Sequence, residues 1–333
     1  MTALHRLLED ETAGDPMSGQ KWARSSLRRL SQRLTDEGYP LSPPTVGRLL
    51  EALGYALRVN AKQREARAGH PERDRQFAYI GAQRQAFQAT GQPVISVDTK
   101  KKELIGDFKN AGRRWCQHAD VVGLHDFPQD ALARAVPYGI YDVTHQRGAV
   151  YVGQSADTPA FAVAVLARWW ADSGRARFPA ADQLLILADG GGSNSARSRQ
   201  WKQQWKQQLQ TQLCDRHRLT VTVCHYPPGC SKWNPVEHRL FSQISLNWAG
   251  KPLRTWETLL AAIRGTTTAT GLQVDAVLHA GCYPLGQQVT DAAMQALHLA
   301  HHLACPAWNY TLRPRTADWP ETSPDDTHRE VIP

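Results

Sequence analysis

Asp98, Asp189 and Glu237 are the residues of this 333-residue chain whose types and surroundings could do chemistry together. Asp98 closes the apolar run PVISVD (93–98), and Asp189 closes a second, QLLILA (183–188), ahead of Gly190, Gly191 and Gly192. Aspartate is depleted in strands, and a carboxylate beside buried residues is costly unless it is paired or holds a metal. Glu237 follows Asn234-Pro235 near the start of a helical pattern. Each residue taken singly also has a plain structural explanation. Asp98 could start a turn, Asp189 could make an Asp-Gly turn or an N-cap, and Glu237 could close a capping box with Asn234. Taken together, two aspartates at strand ends and a glutamate on a flanking helix would converge on one edge of a sheet, with spacings of 91 and 48 residues.

Three carboxylates with no His or Cys partner suit hard cations better than zinc. Mg²⁺, or Mn²⁺ as a substitute, keeps waters and phosphate oxygens beside its carboxylate ligands. Two such ions about 3.5–4 Å apart can drive an in-line displacement at phosphorus. A rival set, Cys214, His217, Cys224, His225 and Cys230, has zinc-type side chains but no usual zinc spacing. Cys224 and His225 are strand neighbours and point to opposite faces. The GGGSN run after Asp189 lacks the Gly-Lys-Ser/Thr ending of a phosphate-cradling loop, and neither a Gly-x-Ser-x-Gly elbow nor a dinucleotide fingerprint occurs.

The elements that must position these residues read as a mixed α/β sheet flanked by helices. Strands are expected at 93–98, Gly139–Val143, Ala149–Gly153, Gln183–Ala188 and Leu219–His225. Helices are expected over Phe161–Trp170, over the polar 196–217 segment and from Asn234 to about Trp248. Three strands in a meander followed by helix-separated strands is the element order of the ribonuclease-H-like fold. Within the second helix, WKQQ-WKQQ at 201–208 is a tandem repeat. Four residues turn a helix by about 400°, so a duplication shifts later side chains by only about 40°.

Residues 25–54 read as two helices and a turn. Ser25 or Ser26 caps the first, with Leu27, Leu30 and Leu34 on its apolar face and Gly38 as its stop. Ser42 caps the second, Pro43 takes its first position, and Val46, Leu49, Leu50 and Leu53 form its buried stripe. Thr45 and Arg48 face outward. Residues 21–75 hold twelve Lys/Arg against six Asp/Glu, much of the chain's net +8. Such a surplus suits a phosphate backbone, and a helix-turn-helix within 20–75 would place its second helix in the major groove. Lys100, Lys101 and Lys102 beside Asp98, and Lys232 and Arg239 beside Glu237, are further candidate DNA contacts. Trp233 could stack on an unpaired base or simply pack. The segment 316–333, with five acids and one Arg, reads as a disordered acidic tail.

No stretch approaches the roughly 18 apolar residues of a membrane span, and the N-terminus lacks a basic region leading into an apolar run. A cytoplasmic, nucleoid-associated location is expected, with six reduced cysteines.

The motifs resemble those of the ISAzo-thirteen family of insertion-sequence transposases, a branch of the DDE superfamily. The matching stretches are VISVDTKKKELIGDFKNAGRRW (94–115), PYGIYDV (137–143), LILADGGGSNSAR (185–197), HYPPGCSKWNPVEHRLFSQIS (225–245), NWAGKPL (247–253) and WNYTLRPR (308–315). The resemblance implies a catalytic domain over 90–315 with Asp98, Asp189 and Glu237 as its DDE triad. It also implies Mg²⁺-dependent cutting of double-stranded DNA at element ends, strand transfer into target DNA, and a homodimer in the synaptic complex. Family members usually carry another helix-turn-helix ahead of the one at 25–54, and the WKQQ repeat looks like an insertion. The chain is therefore expected to be a shortened copy. Two alternatives are a copy that only binds DNA, and a nuclease that cuts without joining.

Overall fold

The computed structural model describes residues 2–14, 21–23, 25–55, 70–190 and 199–316. They fall in two compact units, Met1–Ala66 and Arg67–Pro333. The glycines after Gly190 and the acidic tail from 317 onward lie outside the described residues.

In the first unit, α1 (Thr2–Glu11), α2 (Leu27–Asp36) and α3 (Pro43–Ala52) enclose a small core of Leu4, Leu7, Leu8, Leu30, Leu34 and Val46. Ser26 Oγ accepts from Arg29 N at 3.3 Å and Ser42 Oγ from Thr45 N at 3.4 Å, so α2 and α3 each begin on a side-chain cap. Gly38 (φ +88°) and Gly54 (φ +81°) end them in the left-handed conformation that a glycine adopts without Cβ strain. Leu27 does not join the buried face and is 38% exposed. Its expected place is taken by the leucines of α1, a helix not anticipated from the sequence.

The second unit is built on a mixed sheet. Its strands are β1 (Val94–Thr99), β2 (Ala133–Asp142), β3 (Arg147–Gly153), β4 (Gln183–Ala188), β5 (Thr220–His225), β6 (Gln273–His279), β7 (Leu299–His301) and β8 (Asn309–Leu312). Among the described residues they lie in the order β7-β8-β5-β4-β1-β2-β3-β6, and the short Glu103–Ile105 strand pairs with β2. β1, β2 and β3 form an antiparallel meander, and β4 and β5 run parallel to β1. That 3-2-1-4-5 arrangement is the ribonuclease-H-like fold. β6 extends it on one side, and β8 and β7 on the other.

Because β1, β4 and β5 are covered on both faces, they read as nearly continuous apolar runs. Ile95, Val97, Leu184, Ile186, Val221 and Val223 meet α5 (Pro159–Trp169) and α6 (Arg199–Leu209), whose Phe161, Trp169, Trp205 and Leu209 complete that core. On the opposite face, Val94, Leu185, Leu187 and Cys224 pack under Ile80 and Phe87 of α4 (Arg73–Ala89). Beside them, Tyr141, Val150 and Val152 pack under Val236, Leu240, Phe241 and Ile244.

This last helix differs from expectation. Val236–Phe241 is a π-helical stretch that continues as α7 (Ser242–Asn247). It lies close on the sheet because β2 and β3 present glycines beneath it. A Cβ on Gly139 would overlap the Phe241 ring and come within 3.2 Å of Val236 Cγ2, and one on Gly148 would stand 2.5 Å from Leu240 Cδ1. Gly139→Ala is accordingly expected to cost about 1–3 kcal/mol, the usual range for overpacking. Urea denaturation reads this directly, and an unchanged midpoint would show that the helix shifts at no cost.

Candidate active site

β1 and β4 bring the two aspartates together. The strands are parallel neighbours with Val97 opposite Ala188, so Asp98 and Asp189 come next on each at the C-terminal edge of the sheet. Asp98 is 5% exposed and its Oδ1 accepts from Thr99 N at 2.7 Å. Asp189, partly buried, begins the turn out of β4. The turn passes so close to the next strand's exit that a Cβ on Gly190 would sit 3.1 Å from the Tyr226 carbonyl oxygen. Here the glycine admits backbone. His225 Nδ1 lies 3.0 Å from the Asp189 carbonyl. Burial lowers the His225 pKa to about 4, so the ring is neutral and Nδ1 carries the proton it donates.

Glu237 arrives from the opposite direction. Asn234 does not cap its helix as the capping-box reading required. The Asn234 side chain is turned into the sheet, where Oδ1 accepts from Ser96 Oγ at 2.5 Å and Nδ2 donates to the Val97 carbonyl at 3.1 Å. Ser96 Oγ in turn accepts from Val236 N at 2.8 Å, supplying from a strand the acceptor expected from Asn234. Ser96 and Asn234 are both fully buried. Since Ser96 and Asp98 are two residues apart on β1, they face the same way. Three hydrogen bonds thus pin the start of the Glu237 helix one pleat from Asp98.

The charges respond to this convergence. Burial pushes the Asp98 carboxyl well above the usual carboxylate range, and the charges of Asp189, Glu237 and Asp157 push it further, against the favourable Thr99 N–H. Burial also raises Glu237, opposed by its hydrogen bond to Asp98 and by the Lys100 ammonium. A hydrogen bond between two carboxyl groups needs a proton on one of them. The cluster therefore holds too much negative charge for its own cations, and an all-oxygen donor set of this kind fits a divalent hard cation. Among the described residues, no three His, Cys, Asp or Glu side chains are drawn around a single point as one chelate. Pairs of carboxylates would suffice for an ion whose remaining ligands are water and phosphate oxygens.

The family profile described as "Rhodopirellula transposase DDE domain" matches residues 3–314. The chain belongs to this family of DDE transposases. Among solved structures, the transposase is similar to the Mos1 transposase paired-end complex with left transposon end, at 13% identity over 78% of this chain and 68% of that one, TM-score 0.40. The Mos1 mariner paired-end complex with Mn gives 13% identity over the same shares, TM-score 0.39. No curated protein matches.

Not every candidate contact of the transposase gathers at the carboxylates. Lys100 does approach Glu237, but its ammonium is engaged with Glu103 Oε1 at 2.6 Å and lies 4.5 Å from the Trp248 ring centre. With its side chain only 10% exposed, it neutralises the site rather than offering itself to solvent. Lys101, Lys102, Lys232 and Arg239 are exposed. Arg239 lines a separate 180 Å³ cleft with Arg84, His238 and Trp233, and none of the three carboxylates borders it. Trp233 is 53% exposed, edge-on to Phe77 and beside the Lys232 ammonium. Thr45 and Arg48 belong to the first unit, where the Thr45 hydroxyl meets Ser42 Oγ at 2.9 Å and Arg48 approaches Thr45 at 3.4 Å. The zinc-type residues are dispersed, with Cys214 in the core on one face of the sheet and Cys224 and Cys230 on the other.

Three residues of the site escaped the sequence reading. Asp157, which takes a hydrogen bond from Thr99 Oγ1 at 3.1 Å, precedes a helix and looks like any loop acid. Ser96 and Asn234 are 138 positions apart, and only their being polar inside otherwise apolar or structured segments hinted at a role. Membrane insertion has no support in the described helices, none of which is long and apolar enough to span.

Proposed function

We propose that this transposase cuts double-stranded DNA at the ends of its element and joins the freed strands to target DNA, with Mg²⁺, or Mn²⁺ in its place, held by Asp98, Asp189 and Glu237. The observation that supports this best is the buried Asp98 carboxyl with Asp189 and Glu237 crowding it at one sheet edge. Asp98, Asp189 and Glu237 would hold the ions, with Asp98 the central member of the three. The ions, when bound, activate the attacking hydroxyl and stabilise the leaving oxygen of an in-line displacement. The chain's own contribution is rigidity. The β1–β4 ladder fixes the aspartates, the Ser96–Asn234 clamp fixes the glutamate, and Lys100 offsets part of the charge on Glu237.

The region 20–75 binds DNA in this reading through α2 and α3, with Thr45 and Arg48 on the helix that enters the groove. Residues 90–315 form the catalytic domain, and two copies pair across the two element ends. Lys102 and Lys232, both exposed, would meet DNA phosphate near the carboxylates, and Arg239 would meet it at the separate cleft it lines.

The test is a DNA fragment carrying both element ends, incubated with the full chain and Mg²⁺, alongside precut ends offered for joining. Metal-dependent cutting followed by joining is expected. Binding without any nicking in Mg²⁺ or Mn²⁺ would leave only a DNA-binding copy, and cutting without joining would leave a nuclease.

A further inference from the structure

The WKQQ-WKQQ repeat has no part in the carboxylate site, yet it builds one wall of a cleft beside it. Trp201 and Lys202 of the first WKQQ copy and Trp205 and Lys206 of the second copy stand four residues apart, on one side of α6. They face His225, His301, Ala307 and Tyr310 across a volume of 70 Å³. The two indoles stack at 5.5 Å between ring centres. The Lys206 ammonium lies 4.6 Å from the Tyr310 ring centre and 3.4 Å from His301 Nε2. His301 Nδ1 is 2.7 Å from the Pro306 carbonyl, so that nitrogen carries the proton and Nε2 accepts from Lys206.

Two features define what such a cleft takes. First, among the described residues no acidic side chain lines it, although two lysines do. Burial, with Lys202 close by, lowers the Lys206 pKa to about 8, as befits a cation without its counter-charge. Second, 70 Å³ is far below the roughly 300 Å³ where small-molecule pockets begin, and is about twice the ~30 Å³ share of a water. A small anion fits, and a nucleobase or organic cofactor does not. The location identifies the anion's source. His225 ends β5 and donates to the Asp189 carbonyl, so the cleft wall is continuous with the turn that carries Asp189.

We propose that Lys202 and Lys206 bind a backbone phosphate of the DNA neighbouring the one that reacts at the carboxylates. The assignment rests on the reading of this chain as a DNA-processing enzyme. It gives the repeat a purpose, since each unit supplies one lysine and one indole to the same wall.

The test measures binding of the full chain to a 40-base-pair duplex of arbitrary sequence across a salt series. Each phosphate contact contributes about 0.9 to the slope of log K against log salt. Lys202→Gln is expected to flatten that slope by about 1, Lys202→Gln/Lys206→Gln by 1–2, and Lys206→Arg to leave it unchanged. Should the double variant fail to fold, the half-exposed Lys202→Gln alone decides. A wild-type slope in Lys202→Gln overturns the proposal. Mg²⁺-dependent cutting of element-end DNA, followed in the same samples, separates the two readings. Cutting with an unaltered slope sinks the cleft alone, whereas a flattened slope with no cutting by the wild type sinks the enzyme reading alone.

Discussion

Asp98→Asn is expected to abolish metal-dependent DNA cleavage and, in the same molecule, to raise the melting temperature of the metal-free protein. The loss follows from the central place of Asp98 between Asp189 and Glu237. Removing one preorganised electrostatic group from an active site costs about 10²–10³ in rate, and loss of the central carboxylate of the proposed metal site should cost at least that much. The gain in stability follows from the same crowding. An amide can still accept from Thr99 N and donate to Glu237, but it brings no charge into the cluster.

The pH dependence has a definite sign. The folded-state pKa of Asp98 is raised, so the fold prefers its protonated form. That contribution is complete below the unfolded value of about 3.9 and is lost as pH rises through the raised folded-state value. Metal-free wild type should therefore melt lower at pH 7 than at pH 5 by more than the Asn variant does, and Mg²⁺ should restore stability chiefly to the wild type. Melting curves in chelator and in Mg²⁺, with a nicking assay on the same preparations, check all of this. Retained cleavage, or a variant less stable than wild type at pH 7, would refute the assignment.

The second large effect is expected at Asn234. Asn234→Ala removes the acceptor for Ser96 Oγ and the Nδ2 donor to the Val97 carbonyl in a site that is fully buried. Leaving such groups unpaired costs about 1–3 kcal/mol each, so a loss of about 2–6 kcal/mol is expected. Cleavage should fall further than DNA binding, because the variant frees the start of the Glu237 helix and leaves the first unit untouched. Asn234→Asp should not rescue, since a carboxylate cannot donate to the Val97 carbonyl. Because Ser96 and Asn234 share a bond, the double variant Ser96→Ala/Asn234→Ala should lose less than the two single losses combined. Urea denaturation of the four proteins measures this, and strict additivity would show that the pair does not act as a unit.

Much of this architecture was legible because its physical signals are local. PVISVD and QLLILA announce strands buried on both faces, Ser26 and Ser42 announce helix caps, and the two aspartates sit where those runs stop. The α1 helix is equally written in the spacing of Leu4, Leu7 and Leu8, which all enter the small core. What could not be read was long-range. Asn234 before a helix looks like a cap, and nothing nearby reveals that Ser96 already supplies the acceptor. The edge strand β7 and its neighbour β8 are three and four residues long, too short for any periodicity to show. Lys100 looks like a surface cation in a run of three lysines, and only the packing of Trp248 and Glu103 around it shows otherwise.

The clamp also sets a schedule for synthesis. Ser96 and Asn234 are separated by 138 residues, so the third carboxylate cannot be seated until strands β1–β5 have emerged from the ribosome. At 5–20 residues per second, that interval is roughly 7–30 s. For the last 48 residues before Glu237 the nascent chain holds an aspartate pair without its glutamate. A chain broken off before residue 237 would have strands β1–β5 of its sheet and only two of the three carboxylates.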